Sequence, residues 1–534
     1  MPQNCNEQME NKNNNTEIGK IETKYIQINR GIFQGDSLSP LWFCLPLNPL
    51  SNILKREDTG VQIKQNKEVI YTLSHLLYMD DIKIYAPREM QLKHLVKMIY
   101  NFLNDIKMEF GLDKCRTQSI KKGKQVVERV QGNNMPKIEP MYEDEMYKYL
   151  GMHQKQCTEH KYIKEIIKEK YFKRINMILK SKLNAKNQIK AINTYAIPLL
   201  TSTFGIVKWI QTEMKDIQTK TNVAMTKHRC HHPKAAVERT TLKRKDGGRG
   251  LIDLSNLHNN SIINLRKYFY SKQAQSPYYR AIVKADKHTP LILSDEEKTW
   301  SIVEDADKLT RWKEKALHGR FPHDVDQDTV DKQATYNWLK RGELQPETEG
   351  FFIAIQDQVI KTNNYRRYIL KDGIESDLCR RCKKASETIH HVIGGCQAIA
   401  QSDYKFRHDQ VGKIIHQELA LKYKLIEHKV NYYQYEPATI LENNEYEMYW
   451  DRTIITDKRL EHNRPDIVVK KKNENEVLLI DFAVTNNNNL TQTYREKITK
   501  YIDLCFEIKD MWKYDRVRVI PLVLSNMGVT YQKH

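Results

Sequence analysis

No apolar run in this 534-residue chain approaches the roughly 18 residues of a membrane span. Nothing at the start supplies a secretory signal, because Met1 to Asn15 is polar and Asn-rich with no apolar stretch. Cysteine is sparse and odd in number. Six of the nine are scattered (Cys5, Cys44, Cys115, Cys157, Cys230, Cys505), which excludes a disulfide framework and fits a reduced intracellular compartment. A strongly amphipathic basic helix with a Trp/Phe face is also lacking, and so is a repeat of fixed period.

Basic charge is what the chain has in excess. Lys and Arg number 87 against 67 Asp and Glu, a formal net charge of +20. Without a membrane-binding face, that surplus points to nucleic acid. A blander source is an A/T-rich genome, which would also enrich Asn, Lys and Ile. A hydrophobic fraction of 40% and seven Trp exclude a wholly disordered chain. At about 150 residues per domain the length predicts three or four units. The pattern divides them into a polar leader at 1–20, alternating strand and helix signals over 21–155, and mainly helical sequence over 156–370. A Cys/His cluster follows at 371–410, then strands and a helix over 411–534. Within the helical part, Ile163, Ile166, Ile167, Tyr171, Ile175, Ile178 and Leu179 recur at helical spacing. The run Asn486–Asn489 reads as a loop tip.

The first chemical signal is His75-Leu76-Leu77-Tyr78-Met79-Asp80-Asp81-Ile82-Lys83-Ile84-Tyr85-Ala86. Ile82, Ile84 and Ala86 alternate with Lys83 and Tyr85 as in a half-buried strand, which places Asp80-Asp81 at the turn of a hairpin. Paired carboxylates on rigid strands can bind Mg²⁺ and so neutralise phosphate charge during nucleotidyl transfer. Tyr78-Met79-Asp80-Asp81 resembles the catalytic hairpin of reverse transcriptases. Gly31-Ile32-Phe33-Gln34-Gly35-Asp36-Ser37-Leu38-Ser39-Pro40 resembles the Gln-Gly motif of the same palm, where Gln34 and Gly35 would meet nucleotide and template. Ser39 and Pro40 then read as a capping hydroxyl and a first-turn proline. A helical stripe (Leu92, Leu95, Val96, Ile99, Leu103, Ile106, Phe110) follows. Gly111-Leu112-Asp113-Lys114-Cys115 resembles the next palm motif and makes Lys114 a nucleotide or template contact. Tyr149-Leu150-Gly151 resembles the primer grip. The family's third carboxylate, on a strand before the Gln-Gly motif, has no counterpart in the some thirty residues ahead of it. That implies an N-terminally truncated palm, and extension by this chain alone is not expected.

Cys379-Arg380-Arg381-Cys382, with His390, His391 and Cys396, has the spacing of a structural Cys₃His zinc set. Spacing alone leaves His390 and His391 both open as the fourth ligand, and His391 is preferred. The string Glu387 to His391, Cys396, Tyr404 and Arg407-His408-Asp409 resembles the Cys-Cys-His-Cys region of non-LTR (LINE-type) retrotransposon proteins carrying a restriction-like endonuclease. Arg380, Arg381, Lys383 and Lys384 suit such a knuckle to phosphate contact. The rival group His228, Cys230, His231 and His232 is too compact to enclose an ion and reads as a loop or nucleic-acid contact.

A second acidic pair lies near the end. Val477-Leu478-Leu479-Ile480-Asp481-Phe482-Ala483-Val484 predicts a buried central strand with one costly carboxylate in it. Counting outward from a turn centred on Asn473-Glu474 sets Asp466 opposite Asp481 on one face, a Mg²⁺ site able to activate water against a phosphodiester. Pro465-Asp466 with Asp481-Phe482-Ala483 resembles the PD-(D/E)xK nuclease core, except that Ala483 replaces the usual Lys. The retrotransposon class places that cation on the following helix, here Leu490 to Trp512 with Tyr494, Ile498, Tyr501, Cys505, Ile508 and Trp512 as its buried stripe. At about 100° per residue, Lys497 falls about 60° from the stripe and Lys500 about 120°. Lys497 is therefore the expected catalytic lysine, with Lys500 and Tyr501 secondary.

The expected architecture is multidomain α+β: a partial reverse-transcriptase palm, a helical thumb and linker, a zinc knuckle and a PD-(D/E)xK-like α/β nuclease domain. Two weaker family-like segments are Lys245-Asp246-Gly247-Gly248-Arg249-Gly250-Leu251 and Thr348-Glu349 with Gln356-Asp357. The resemblance implies target-primed reverse transcription in the nucleus, with Mg²⁺ and Zn²⁺ as cofactors. Element RNA, target DNA and deoxynucleoside triphosphates would be the partners, with no membrane. The alternative is a non-catalytic nucleic-acid-binding remnant.

Overall fold

The computed structural model describes residues 17–18, 21–22, 35–109, 111–129 and 137–532. They form two compact units. One takes the chain as far as Ile166, with 203–208 and 261–299; the other takes Ile167–Ser202, Trp209–Asn260 and the chain from Trp300. The helical stretch 156–370 is thus shared between two units rather than being one domain. The aromatic residues explain part of this: helix Pro277–Ala285 lays Tyr278 against Tyr71, ring centroids 5.4 Å apart.

In the first unit, α1 (Ser39–Arg56) and α2 (Glu89–Asp105) enclose a small core with a hairpin. Leu47, Leu50 and Leu54 of α1 meet Leu95, Ile99 and Leu103 of α2, and Ile82, Ile84 and Ala86 pack against them. The alternation in the sequence is therefore the face that docks. Ser39 does not cap α1: the helix starts at Ser39, Leu38 holds the cap position, and the Asp36 carboxylate accepts the Leu38 N–H at 3.0 Å. Strands β1 (Val61–Gln65) and β2 (Glu68–Leu73) form one hairpin, β3 (His75–Tyr78) and β4 (Asp81–Ile84) the next, and β5 (Tyr147–Tyr149) and β6 (Met152–Gln154) a third.

The second unit contains helix α3 (Pro346–Gln356) and a five-stranded sheet. The sheet runs β7 (Ile440–Glu442), β8 (Tyr446–Trp450), β9 (Ile467–Lys471), β10 (Glu476–Thr485) and β11 (Arg516–Ser525). Successive pairs are antiparallel until β10 and β11, which are parallel. A parallel pair needs a crossover, supplied by helices α5 (Leu490–Lys500) and α6 (Ile502–Trp512). The other face carries α4 (Lys405–Lys422). Leu478, Ile480 and Phe482 of β10 face one core, while Val477 and Leu479 face the other with Tyr501, Leu504 and Ile508. Burial on both faces is why the β10 sequence is apolar almost without alternation. The single helix expected from Leu490 to Trp512 is instead two, broken at Tyr501.

A third core joins the helical part, the Cys/His segment and the sheet. Trp312, Phe321, Leu339 and Ile353 pack with Ile389, Leu490, Val523 and Val529. The boundaries at 370/371 and 410/411 therefore cross one continuous apolar cluster. Asn486–Asn489 is no loop tip: Asn487 is buried and donates to Asp324 Oδ2 at 2.8 Å, while Asn486 Oδ1 accepts from Asn526 Nδ2 at 2.5 Å. Beneath that core sits a buried ionic network. Arg239 pairs with Asp357 (3.0 Å, both fully buried) and donates to Gln356 Oε1 at 2.7 Å. Arg244 and Arg249 converge on Glu349. The two weak family-like segments are thus partners, joined by Arg249–Glu349 and bracketed by Arg239. Gly248 lies so close to the Leu242 carbonyl (2.1 Å from an added Cβ) that no side chain fits there.

Removing one member of a fully buried pair leaves the other charge uncompensated, at a cost of about 3–5 kcal/mol. Asp357→Ala is accordingly expected to lower the denaturant midpoint strongly. Lys243→Ala, at the exposed pair with Asp305, should leave the midpoint unchanged.

Candidate active sites and metal centre

In the first unit, β3 and β4 pair Tyr78 with Asp81, so the two turn residues are Met79 and Asp80. The expected Asp-Asp turn is shifted by one residue, and Asp81 opens the second strand. Met79 is left-handed (φ 53°), the first position of a hairpin turn that usually holds glycine. A side chain held there costs about 1–3 kcal/mol, a strain often found at working sites. Asp80 and Asp81 are both exposed. Behind them, His75 is buried between Ser51 Oγ and Ser74 Oγ, each 2.8 Å away, and burial with nearby Lys55 lowers its pKa.

The β5–β6 hairpin stands beside this turn. Leu150 and Gly151 are both left-handed (φ 47° and 82°), so Tyr149-Leu150-Gly151 is a tight turn. Lys83 Nζ donates to Gln154 Oε1 at 3.0 Å and lies 5.0 Å from the Tyr149 ring centre. Burial, then the Asp81 charge, raises the phenol pKa of Tyr147 and Tyr149. The primer-grip-like turn and the acidic turn therefore share one surface. Gly35 has φ 104° with nothing within 4 Å of an added Cβ, leaving open space beside its backbone. Lys114 is exposed on a single turn, Leu112–Lys114. Gln34 and Phe110 lie outside the described residues.

In the second unit, the donor atoms of Cys379, Cys382, His391 and Cys396 lie within 4.8 Å of one another. Cys379 and Cys396 sulfurs are 3.9 Å apart, and Cys382 Sγ is 3.3 Å from His391 Nε2. Bond lengths of about 2.3 Å for sulfur and 2.0 Å for nitrogen predict tetrahedral edges of about 3.8 and 3.6 Å, so the set fits zinc. Backbone N–H groups of Lys384 and Ala385 help pull the Cys382 thiol down to about 6, which favours a thiolate ligand. His391 belongs to the set, whereas His390 lies outside it, half-buried near Arg320 and Asp324. Of the knuckle cations, Arg380 is engaged by Glu387 through a bidentate pair; Arg381, Lys383 and Lys384 remain exposed. The rival group splits: two of its four members are enclosed, and His228 and His232 stay partly exposed. Cys230 and His231 are buried, Cys230 Sγ donates to Gln188 Oε1 at 3.3 Å, and burial drives the His231 pKa to about 3.

The second acidic pair is assembled by register. Strand β9 pairs Ile467 with Ile480, which sets Asp466 opposite Asp481 one step beyond the ladder. Asp466 Oδ2 accepts the Phe482 N–H at 2.8 Å. Asp481 is buried; Tyr501 Oη lies 2.9 Å from its Oδ1 and 3.0 Å from the Arg464 carbonyl. Lys497 forms an ion pair with Asp481 Oδ2. Burial with the neighbouring Asp466 raises the Asp481 pKa. Burial would raise Asp466 too, but His408, the Phe482 N–H and Lys497 outweigh it and lower it. Environments that push two carboxyls apart are typical of acid–base sites. Lys500 makes no ion pair with either acid; its Nζ lies 4.7 Å from the Tyr501 ring centre, and its charge works to lower the Asp481 pKa.

His408 was not signalled as a site residue by the sequence. On the first turn of α4, its Nε2 sits 3.7 Å from Asp466 Oδ2 and 3.2 Å from the Phe482 carbonyl, which takes its proton. Arg407-His408-Asp409 is part of the string resembling the Cys-Cys-His-Cys region, but spacing alone does not tie His408 to Asp466, 58 residues on.

If the Cys₃His set holds zinc, His391→Ala should purify with less than one zinc per chain. His390→Ala should keep the full complement, both measured by atomic absorption.

No helix among the described residues is long and apolar enough to cross a membrane. No curated protein matched the chain. Residues 6–154, which span the acidic turn, the Lys114 turn and the Tyr149 hairpin, match the family described as reverse transcriptase (RNA-dependent DNA polymerase).

Proposed function

We propose that this chain acts in target-primed reverse transcription as a non-LTR retrotransposon protein. In this reading its C-terminal sheet is a Mg²⁺-dependent DNA endonuclease of the restriction-like class. The observation that carries the nuclease is the Asp466–Asp481 pair, fixed by strand register with Lys497 against it. The topology supports the same reading: a helix, an antiparallel meander, a helical crossover and a parallel fifth strand. The buried Asp481 Oδ2 is already paired with a cation, the Lys497 ammonium, and so is an oxygen suited to positive charge. Bound between these carboxylates, Mg²⁺ would neutralise charge on a scissile phosphate and acidify water. The residues divide the remaining tasks. Asp466 stays ionised as acceptor, Tyr501 fixes the Asp481 carboxylate, and Lys497 presents an ammonium to the attacking water or a phosphate oxygen. Nuclear localisation follows from a chromosomal DNA substrate.

The reverse transcriptase domain implies a nucleic-acid template and deoxynucleoside triphosphates as substrates. Asp80 and Asp81 fit Mg²⁺ as exposed, adjacent carboxylates. Among the described residues, no third His, Cys, Asp or Glu converges on them. Among the described residues the hairpin thus offers two carboxylates, where two-metal catalysis normally draws on more. The Cys₃His set would hold zinc as a structural brace, and the exposed Arg381, Lys383 and Lys384 would contact phosphate.

Purified full chain with Mg²⁺ should nick supercoiled DNA, and Asp466→Ala/Asp481→Ala should nick about 100-fold more slowly. Equal nicking by both proteins would overturn the endonuclease and leave the nucleic-acid-binding remnant. On a primed RNA template the chain alone should extend no faster than an Asp80→Ala/Asp81→Ala variant. Extension clearly above that variant would show that the two-carboxylate hairpin suffices.

A further inference from the structure

We infer that the Cys₃His cluster positions the nuclease carboxylate Asp466, acting through Tyr404, Arg407 and His408; this rests on the nuclease reading above. The link is a continuous set of contacts within one unit. The Tyr404 hydroxyl accepts the N–H of the ligand Cys396 at 2.9 Å. Its proton faces the carbonyls of His391 (3.2 Å) and Val392 (3.0 Å), so one side chain spans both ends of the ligand loop. Arg407 Nη1 donates to the Ile393 carbonyl at 2.8 Å, and its guanidinium lies 5.1 Å from the Tyr404 ring centre.

The next residue is His408. Its ring packs on Phe482 (centroids 4.7 Å apart), and its Nε2 reaches both the Phe482 carbonyl and Asp466 Oδ2. Phe482 in turn donates its N–H to that same carboxylate oxygen. Asp466 is thus oriented by two groups: one on its own sheet and one on α4, whose start is pinned to the metal loop. The register of β9 and β10 alone sets only the backbone of Asp466. Its carboxylate is held by the Phe482 N–H from within the sheet and by the His408 ring from α4, and the placement of His408 falls to the loop that zinc would close. Groups that orient metal-binding carboxylates are commonly worth 10–100-fold in metal affinity. His408 is therefore a positioning residue.

The test uses the full chain with Asp80→Ala/Asp81→Ala as background, so that the palm turn does not compete for cations. Calorimetric titration with Ca²⁺ alone, without DNA, reads the Asp466 site; nicking with Mg²⁺ reads its activity. His408→Ala and Tyr404→Phe should each weaken Ca²⁺ binding about 10-fold while zinc content stays at the background level. The double variant should be no weaker than the worse single one, because both act on one link. His408→Gln, which keeps an amide N–H near the Nε2 position, should recover most of the loss. Cys396→Ser should show the same weakening; if it fails to fold, Tyr404→Phe, with all four ligands intact, decides. Unchanged Ca²⁺ binding in the single variants, or additive losses in the double, would overturn this inference while wild-type nicking kept the nuclease. A background protein that neither nicks nor binds Ca²⁺ in an Asp466-dependent way would remove both.

Discussion

A carboxylate in the middle of a strand covered on both faces must be compensated, and much of the second unit is arranged around that need. Asp481 sits in β10 between Ile480 and Phe482, with helices on either side of the sheet. Lys497 and Tyr501 approach from the crossover, and Asp466 lies opposite from β9. The break between α5 and α6 falls at the tyrosine that touches the acid. A continuous helix would have to place Lys497 and Tyr501 by helical geometry alone. Two shorter helices allow each to be placed separately. A buried acid is destabilising on its own, so its retention beside a lysine and a second carboxylate argues for chemistry rather than packing.

The same logic separates the two acidic sites. Asp80 and Asp81 are exposed on a strained turn, supported from behind by Leu50, Leu54 and Leu95. That hairpin presents its carboxylates outward and leaves their compensation to whatever binds. The Asp466–Asp481 pair is largely covered and compensated in advance. One site is prepared for a substrate that brings its own cations with its phosphates; the other holds its groups in a fixed constellation.

Several features were legible in the sequence because they rest on local periodicity. The two-residue alternation of Ile82, Ile84 and Ala86, the near-continuous apolar run of β10 and the turn at Asn473-Glu474 set strands and register without tertiary knowledge. Cysteine spacing marked the four residues that converge, though only the fold separates His391 from His390. Other features depend on groups distant in sequence. Tyr501 is no helix breaker by type, and the interruption there accompanies a side chain anchored on Asp481 and Arg464. The asparagines at 486 and 487 resemble any polar loop until Asn526 and Asp324 arrive as partners. His228 to His232 look like surface chemistry, yet Cys230 and His231 are enclosed beneath Arg239 and Arg249. His408 gains meaning only when β9 and β10 bring Asp466 to it.

The C-terminal stretch also forms part of the helical region. Asp331 donates its N–H to the Thr530 carbonyl at 2.9 Å, Gln532 donates to the Thr329 carbonyl at 2.8 Å, and Val330 bridges Tyr531. At synthesis rates of 5–20 residues per second, these partners leave the ribosome about 10–40 s apart. During that interval Trp312, Phe321 and Leu339 have only part of their cover, so the nascent chain carries an unfinished apolar face. Completion of the sheet around Asp481 and closure of the helical region are then coupled, and a chain lacking residues 523–532 would leave that apolar face uncovered.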